Sequence, residues 1–63
     1  MPSGAEIIER AIKDFQKVQG FMQIAKEENA LKTYESLKNE YISLKVLLTS
    51  LGVNLTELDK IKE

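Results

Sequence analysis

Three basic residues at helical spacing form the pattern in this sequence that could do chemistry. Arg10, Lys13 and Lys17 stand at i, i+3 and i+7, so a helix would place them on one face. Such a row can contact the phosphates of a nucleic acid. However, acids such as Glu9 and Asp14 stand beside the row, and the formal net charge of the chain is −1. We therefore interpret the row as a solvated helix face, and keep a small nucleic-acid-binding regulator as the alternative function.

The residue types that most often carry catalysis and metal binding are missing. The 63 residues include no His and no Cys, which removes the commonest general base, the commonest metal ligand and all thiolate chemistry. Any Ser, Thr, Tyr or Lys nucleophile would lack a His partner, and no Gly-rich phosphate-binding motif occurs. The sequence therefore predicts a non-enzymatic protein that holds no metal and no cofactor.

The sequence also lacks the features of a membrane or secreted protein. Its longest uninterrupted apolar run is only Val46 to Leu48, whereas a membrane-spanning helix needs about 20 apolar residues. The N-terminus carries acid where a signal peptide carries base, and it has no apolar core segment. A cytoplasmic protein without a membrane partner is the expectation.

The stretch from Ala30 to Gly52 organises the predicted fold. Its apolar side chains recur at alternating spacings of 4 and 3, which is typical of a helix that packs against another helix along its whole length. This second seam consists of Ala30, Tyr34, Leu37, Tyr41, Leu44, Leu48 and Leu51. It predicts a helix over about residues 30–51. We expect the two tyrosines to pack in the core with their hydroxyls at the rim; a binding groove is the alternative.

A first seam precedes it and predicts a helix over about residues 4–27. Its members are Ile8, Ala11, Phe15, Val18, Met22 and Ala25. Ser3 and Glu6 match a capping box at the start of this helix. Gly20 lies inside it, where glycine costs about 1 kcal/mol relative to alanine. Because the seam keeps its phase across Gly20, we predict one continuous helix with a close-packing point or mild bend there; the alternative is a helix end.

A polar connection separates the two seams. The run from Lys26 to Asn29 breaks the apolar phase, and Asn29 is the expected N-cap of the second helix. A short polar link between two long amphipathic helices predicts an antiparallel helical hairpin. A single long bent helix is the alternative.

The C-terminal residues carry a signal that ends a helix, followed by a signal that begins another helix. Gly52 follows the second seam as a C′ residue, and Asn54 with Glu57 fits a capping box. A hydrophobic staple of Val53 with Leu58 accompanies that box. We therefore predict a short third helix over about residues 55–62, whose Leu55, Leu58 and Ile61 fold back over the end of the hairpin.

Apolar residues outside the seams indicate association. A single domain of 63 residues buries only about 60% of its unfolded surface, and without disulfides or a metal it needs another source of stability. A lone hairpin would leave eight further apolar side chains in water: Ile7, Ile12, Phe21, Ile24, Leu31, Ile42, Val46 and Leu47. We favour a homodimer of hairpins forming a four-helix bundle. The alternatives are a monomer closed by the third helix, a parallel two-stranded coiled coil, and pairing with another helical protein.

The predicted fold class is therefore all-α, and the predicted function is that of a non-enzymatic interaction or structural module. It would act through helix-on-helix packing rather than through chemistry. The residues expected to form this packing seam are Phe15, Val18, Met22, Tyr34, Leu37, Tyr41, Leu44, Leu48 and Leu51.

Overall fold

Two helices form an antiparallel hairpin in the computed structural model, which describes residues 4–62. Helix α1 spans Gly4–Glu27 and helix α2 spans Leu31–Ser50. Residues 53–62, here called the C-terminal segment, return across one face of the hairpin. The all-α prediction is confirmed, and both predicted helices lie within one residue of their expected bounds. Ser3, the predicted first residue of a capping box, lies outside the described residues.

Helix α1 runs through Gly20 without interruption, as the phase of the first seam predicts. The expected close contact at this position is absent. Gly20 is exposed, and a Cβ built on it would meet no atom within 4 Å. The glycine therefore leaves the helix intact and brings no neighbour closer to it.

Asn29 ends the first helix, and its predicted role as the N-cap of the second helix was wrong. It takes the left-handed conformation with φ 56°, which asparagine tolerates better than most residues. The N–H of Asn29 donates to the carbonyl of Lys26 (3.2 Å) and the N–H of Ala30 to that of Ala25 (2.9 Å). These two bonds form a Schellman motif. Ala30 occupies the N-cap of α2 and makes no side-chain capping bond.

The same motif closes the second helix at Gly52, the residue that was predicted to follow its end as C′. Gly52 has φ +82°, and its N–H donates to the carbonyl of Thr49 (3.0 Å). The N–H of Val53 reaches the carbonyl of Leu48 (3.0 Å), and the Val53 side chain packs against the core. The left-handed residue turns the chain so that the C-terminal segment runs back over the hairpin.

The predicted third helix over residues 55–62 is not formed. Asn54 Oδ1 accepts the N–H of Thr56 (2.9 Å), and one turn closes between the N–H of Asp59 and the carbonyl of Leu55 (2.8 Å). The next N–H groups then bond to side chains instead of to helical carbonyls. Lys60 and Ile61 donate to Gln19 Oε1, and Lys62 donates to Asp59 Oδ1. Tertiary hydrogen bonds have replaced those of the helix.

The C-terminal segment nevertheless packs on the hairpin through the three side chains expected of the third helix, although it lies across a face of the hairpin and not over its end. Leu55, Leu58 and Ile61 all pack against the core cluster of the hairpin, which consists of Ala11, Phe15, Val18, Met22, Tyr41 and Leu48. The centre of that cluster is an aromatic stack of Phe15 on Tyr41, with ring centroids 5.3 Å apart and planes inclined by 13°. The whole chain is a slab with extents of 39 × 24 × 14 Å.

Candidate functional site

Within residues 4–62, no further layer of chain covers one broad face of the hairpin. We call it the open face. Two adjoining grooves between the helices run along it, and their apolar lining defines it: Ile7, Ala11, Val18, Phe21, Leu37, Leu44 and Leu47. The C-terminal segment lies on the opposite side, where Leu58 and Lys60 bond to Gln19 and line a cleft with Gln16 and Gln23 of α1.

Helix periodicity explains why this face is apolar. At 3.6 residues per turn, Ile7 and Phe21 lie on the same flank of α1 beside the buried seam, and Leu47 lies on the matching flank of α2. Their side chains remain 47%, 47% and 43% exposed. The apolar residues of each helix cover a wider strip of its surface than the partner helix can bury. The central residues pack in the core of the hairpin, and the residues on this flank remain exposed to water.

The expected seam residues fall into three groups. Five lie fully inside the hairpin, each with at most 4% exposure: Phe15, Val18, Met22, Tyr41 and Leu48. Tyr34, Leu37 and Leu44 are half-buried and pack against that core. Leu51 was expected in the seam but is 41% exposed, because α2 ends at Ser50 and the chain turns away at Gly52.

The three candidate phosphate contacts lie in solvent, as exposed residues of α1. Arg10 shares one groove with Glu6 and Asp14, whereas Lys17 shares the other with Asp14 and Glu40. Lys13 lines neither groove. The acids give this side of the hairpin both signs of charge, and the nucleic-acid alternative stays a sequence-based prediction.

The covered face carries a buried polar network that the sequence did not reveal. Gln19 and Asp59 are only 3% and 7% exposed. Asp59 accepts a hydrogen bond from the Tyr41 hydroxyl (2.5 Å) and forms an ion pair with Lys45 (Nζ to Oδ2, 2.9 Å). Gln19 Nε2 donates to the carbonyl of Leu58 (2.9 Å). Among the described residues, no buried side-chain nitrogen or oxygen lacks a hydrogen-bond partner.

Opposing effects set the pKa of Asp59. Desolvation by itself raises the pKa of this buried carboxyl. Hydrogen bonds from Tyr41, from the backbone of Lys62 and from Lys45, together with the Lys45 charge, outweigh desolvation and lower the pKa below its usual value. The hydrogen bond to Asp59 in turn raises the pKa of Lys45 against a smaller desolvation effect. Lys45 Nζ also lies 5.5 Å from the centroid of the Tyr41 ring. The network thus favours the charged forms of both groups.

A faint signal for Gln19 was present in the sequence, and none for Asp59. Gln19 stands seven residues after Ile12 and four after Phe15, and so on the core side of α1. Asp59 sits between Leu58 and Ile61 in a stretch that a helical pattern describes well, and nothing local indicates that its carboxylate is buried.

Further apolar side chains lie away from both the core and the open face. The exposed ones are Ile24, Leu31, Ile42 and Val46. Within residues 4–62, no group of three or more acidic residues is placed to hold a metal ion. Neither of the two helices has the length and apolar character that crossing a bilayer requires.

Comparisons with known proteins add no functional information. The chain matches no protein-family model, and comparison with curated proteins and with solved structures found no match.

Proposed function

We propose that the chain is a non-enzymatic helical module that works by self-association, with two hairpins packing through their open faces into a four-helix bundle. The observation that carries this proposal is the open face itself. Ile7, Phe21 and Leu47 each expose more than two fifths of their surface there, next to the half-buried Leu37 and Leu44. Exposed apolar side chains grouped along adjoining grooves are a feature of interaction sites in soluble proteins, and this grouping supports the proposal.

The shape of the hairpin supports a second layer. Domains are built from layers packed around a hydrophobic core, and here the C-terminal segment adds a layer on only one side of the hairpin, so that the shortest extent is 14 Å. The broad face of 39 × 24 Å has an area of the same order as the ~800 Å² that each partner contributes to a standard interface. A second hairpin would therefore supply the missing layer at a size typical of stable complexes.

The accessible surface area of the chain also supports self-association. The chain exposes 4812 Å². A compact monomer of its mass, 7.2 kDa, is expected to expose roughly 4,100 Å². The excess is surface that a compact monomer would have buried. Apolar groups of the open face contribute to it, as do the exposed side chains of Ile24, Leu31, Ile42 and Val46.

A second copy of the chain is the partner that the charges of this face favour. The grooves are bordered by acids and bases together, among them Glu6, Arg10 and Lys17. A surface of mixed sign complements itself when a two-fold axis turns it over. A strongly one-signed partner, such as a nucleic acid, would meet like charges on the same face.

The test is the mass in solution of the full chain and of two matched variants. We expect the wild-type chain to show twice the 7.2 kDa chain mass by light scattering on a sizing column, with dissociation on dilution. Leu47→Glu places a charge in the groove and is expected to give a monomer. Val46→Glu adds the same charge one residue away, at a side chain that is 61% exposed and lines neither groove, and should remain a dimer.

Circular dichroism separates loss of association from loss of folding. A wild-type chain that stays a helical monomer at several hundred micromolar contradicts the proposal, since the C-terminal segment would then close the core alone. A wild-type chain with little helix until another protein is added also contradicts it, because the partner would not be a second copy. Equal effects of the two glutamates on the mass would show that the open face is not the interface.

A further inference from the structure

We infer that the two copies pair α1 against α1 in antiparallel orientation, in a register set by alternating charges on this helix. This inference rests on the proposed function and specifies its geometry. The four residues concerned are Glu6, Arg10, Asp14 and Lys17. They succeed one another at steps of one helical turn and alternate in sign along α1.

All four charged side chains are exposed, and all border the open face. Glu6, Arg10 and Asp14 line the first groove, and Asp14 and Lys17 line the second. The row therefore lies along one long edge of the apolar surface. This is the position in which charges set the register and orientation of packed helices, as the e and g residues do in coiled coils.

One antiparallel register pairs every charge with its opposite. When a two-fold axis passes between Arg10 and Asp14, Arg10 meets Asp14 of the second copy, and Glu6 meets Lys17 of the second copy. The symmetry repeats each pair, so four ion pairs form. A parallel arrangement instead places each residue opposite its own like charge. An antiparallel axis at Asp14 would set this carboxylate against its symmetry mate.

The same register brings together the half-buried leucines of α2 and Leu51, which directly follows this helix. The stack of Phe15 on Tyr41 fixes which levels of the two helices adjoin, and it places Leu44 about level with the proposed axis. Leu44 would then meet Leu44 of the second copy, and Leu37 would lie near Leu51 of the second copy. Leu51 is 41% exposed in the hairpin. These leucine contacts are consistent with the register that the charges indicate.

A pair of charge variants tests this geometry. The acidic variant carries Arg10→Glu and Lys17→Glu, and the basic variant carries Glu6→Lys and Asp14→Lys, so that the row has one sign in each. Alone, each variant is expected to self-associate at least about tenfold more weakly than wild type at low salt. Mixed in equal amounts, they should form a heterodimer, measured by native mass spectrometry and by sedimentation. High salt should reduce this preference, because it screens exposed charges.

A second pair of variants with the same net charges serves as control. One carries Lys13→Glu and Lys32→Glu, and the other carries Glu9→Lys and Glu35→Lys. All four positions are exposed, and none lines a groove of the open face. These variants should remain homodimers alone and show no preference for each other when mixed.

The outcomes distinguish the register from self-association itself. A wild-type dimer whose two charge variants self-associate as tightly as wild type overturns the register and leaves the proposed function standing. Heterodimers of equal strength in the control pair also overturn it, since net charge would then explain the pairing. A folded wild-type monomer removes both proposals together.

Discussion

The bond between Tyr41 and Asp59 should contribute measurably to the stability of the fold, although 18 residues separate the two in the sequence. Tyr41 is completely buried, and its hydroxyl donates to the Asp59 carboxylate. Hydrogen bonds to charged groups contribute about 1.5–3 kcal/mol, and a buried polar group left without a partner costs about 1–3 kcal/mol. The perturbations that test this are Tyr41→Phe, Asp59→Ala and the double variant.

The expected magnitudes follow from what each change leaves behind. Tyr41→Phe keeps the ring stacked on Phe15 and leaves Asp59 with Lys45 and the Lys62 N–H, so a loss of about 1–2 kcal/mol is expected. Asp59→Ala removes the contacts to Tyr41, Lys45 and the Lys62 N–H at once and leaves the buried Tyr41 hydroxyl without its acceptor. A loss of about 2–4 kcal/mol in the free energy of unfolding is therefore expected. The double variant should lose less than the sum, with a coupling of about 1–2 kcal/mol.

The assay is urea unfolding followed by far-ultraviolet circular dichroism, with all variants at one protomer concentration because association shifts apparent stability. Losses of this size are large for a chain of 63 residues, whose total stability is expected to be about 3–9 kcal/mol. Glu57→Ala is the matched control, since this exposed acid belongs to the same segment and should change stability by less than about 0.5 kcal/mol. Additive single effects, or equal losses at Glu57 and Asp59, would refute the reasoning.

Four further predictions concern separate parts of the fold. The folded state lowers the pKa of Asp59, so its contribution is present above the unfolded pKa of about 3.9 and is lost as pH falls through the folded value. Unfolding midpoints of wild type should therefore drop in acid more steeply than those of Asp59→Asn, and parallel curves would contradict this. The folded state raises the pKa of Lys45, so the Lys45 contribution is complete below about pH 10.4 and is lost as pH rises through the folded value. Gly20→Ala should raise stability by about 0.5–1 kcal/mol, because the position is helical and the added Cβ meets nothing within 4 Å. Gly52→Ala should lower stability by about 1–2 kcal/mol because of its φ of +82°, and a thermal melt in which both alanines act alike would refute the two assignments.

The helices were predictable because their determinants are local and repeated. Five apolar residues in one phase, from Tyr34 to Leu48, specify the inward side of α2 even where single propensities disagree. The same repetition in α1 explains why that helix continues through Gly20. Gly52 was predictable because few residues adopt the left-handed conformation readily. Asn29 has this ability too, but it also caps helix starts, and the sequence does not say which of the two uses applies.

The third helix failed as a prediction because its signals were only local. Asn54 does begin a turn, and Leu55 and Leu58 do face the core, as a short helix would require. A segment of eight residues gains little from helical hydrogen bonds alone. Gln19 and Asp59 offer the same N–H groups partners within a packed interface, and that alternative prevails.

The sequence by itself determined two amphipathic helices, the turn between them, and a supply of apolar side chains larger than one hairpin can bury. These are consequences of periodicity and backbone preference, which act between near neighbours. Only the tertiary structure decided which flank of the hairpin the C-terminal segment covers. It did so by bringing Gln19 to Leu58, which is 39 residues further along the chain, and Tyr41 to Asp59, which is 18 residues further along. Hydrogen bonds over such separations depend on the packed geometry of the whole chain, and so the identity of the open face could not be inferred from the spacing of residues.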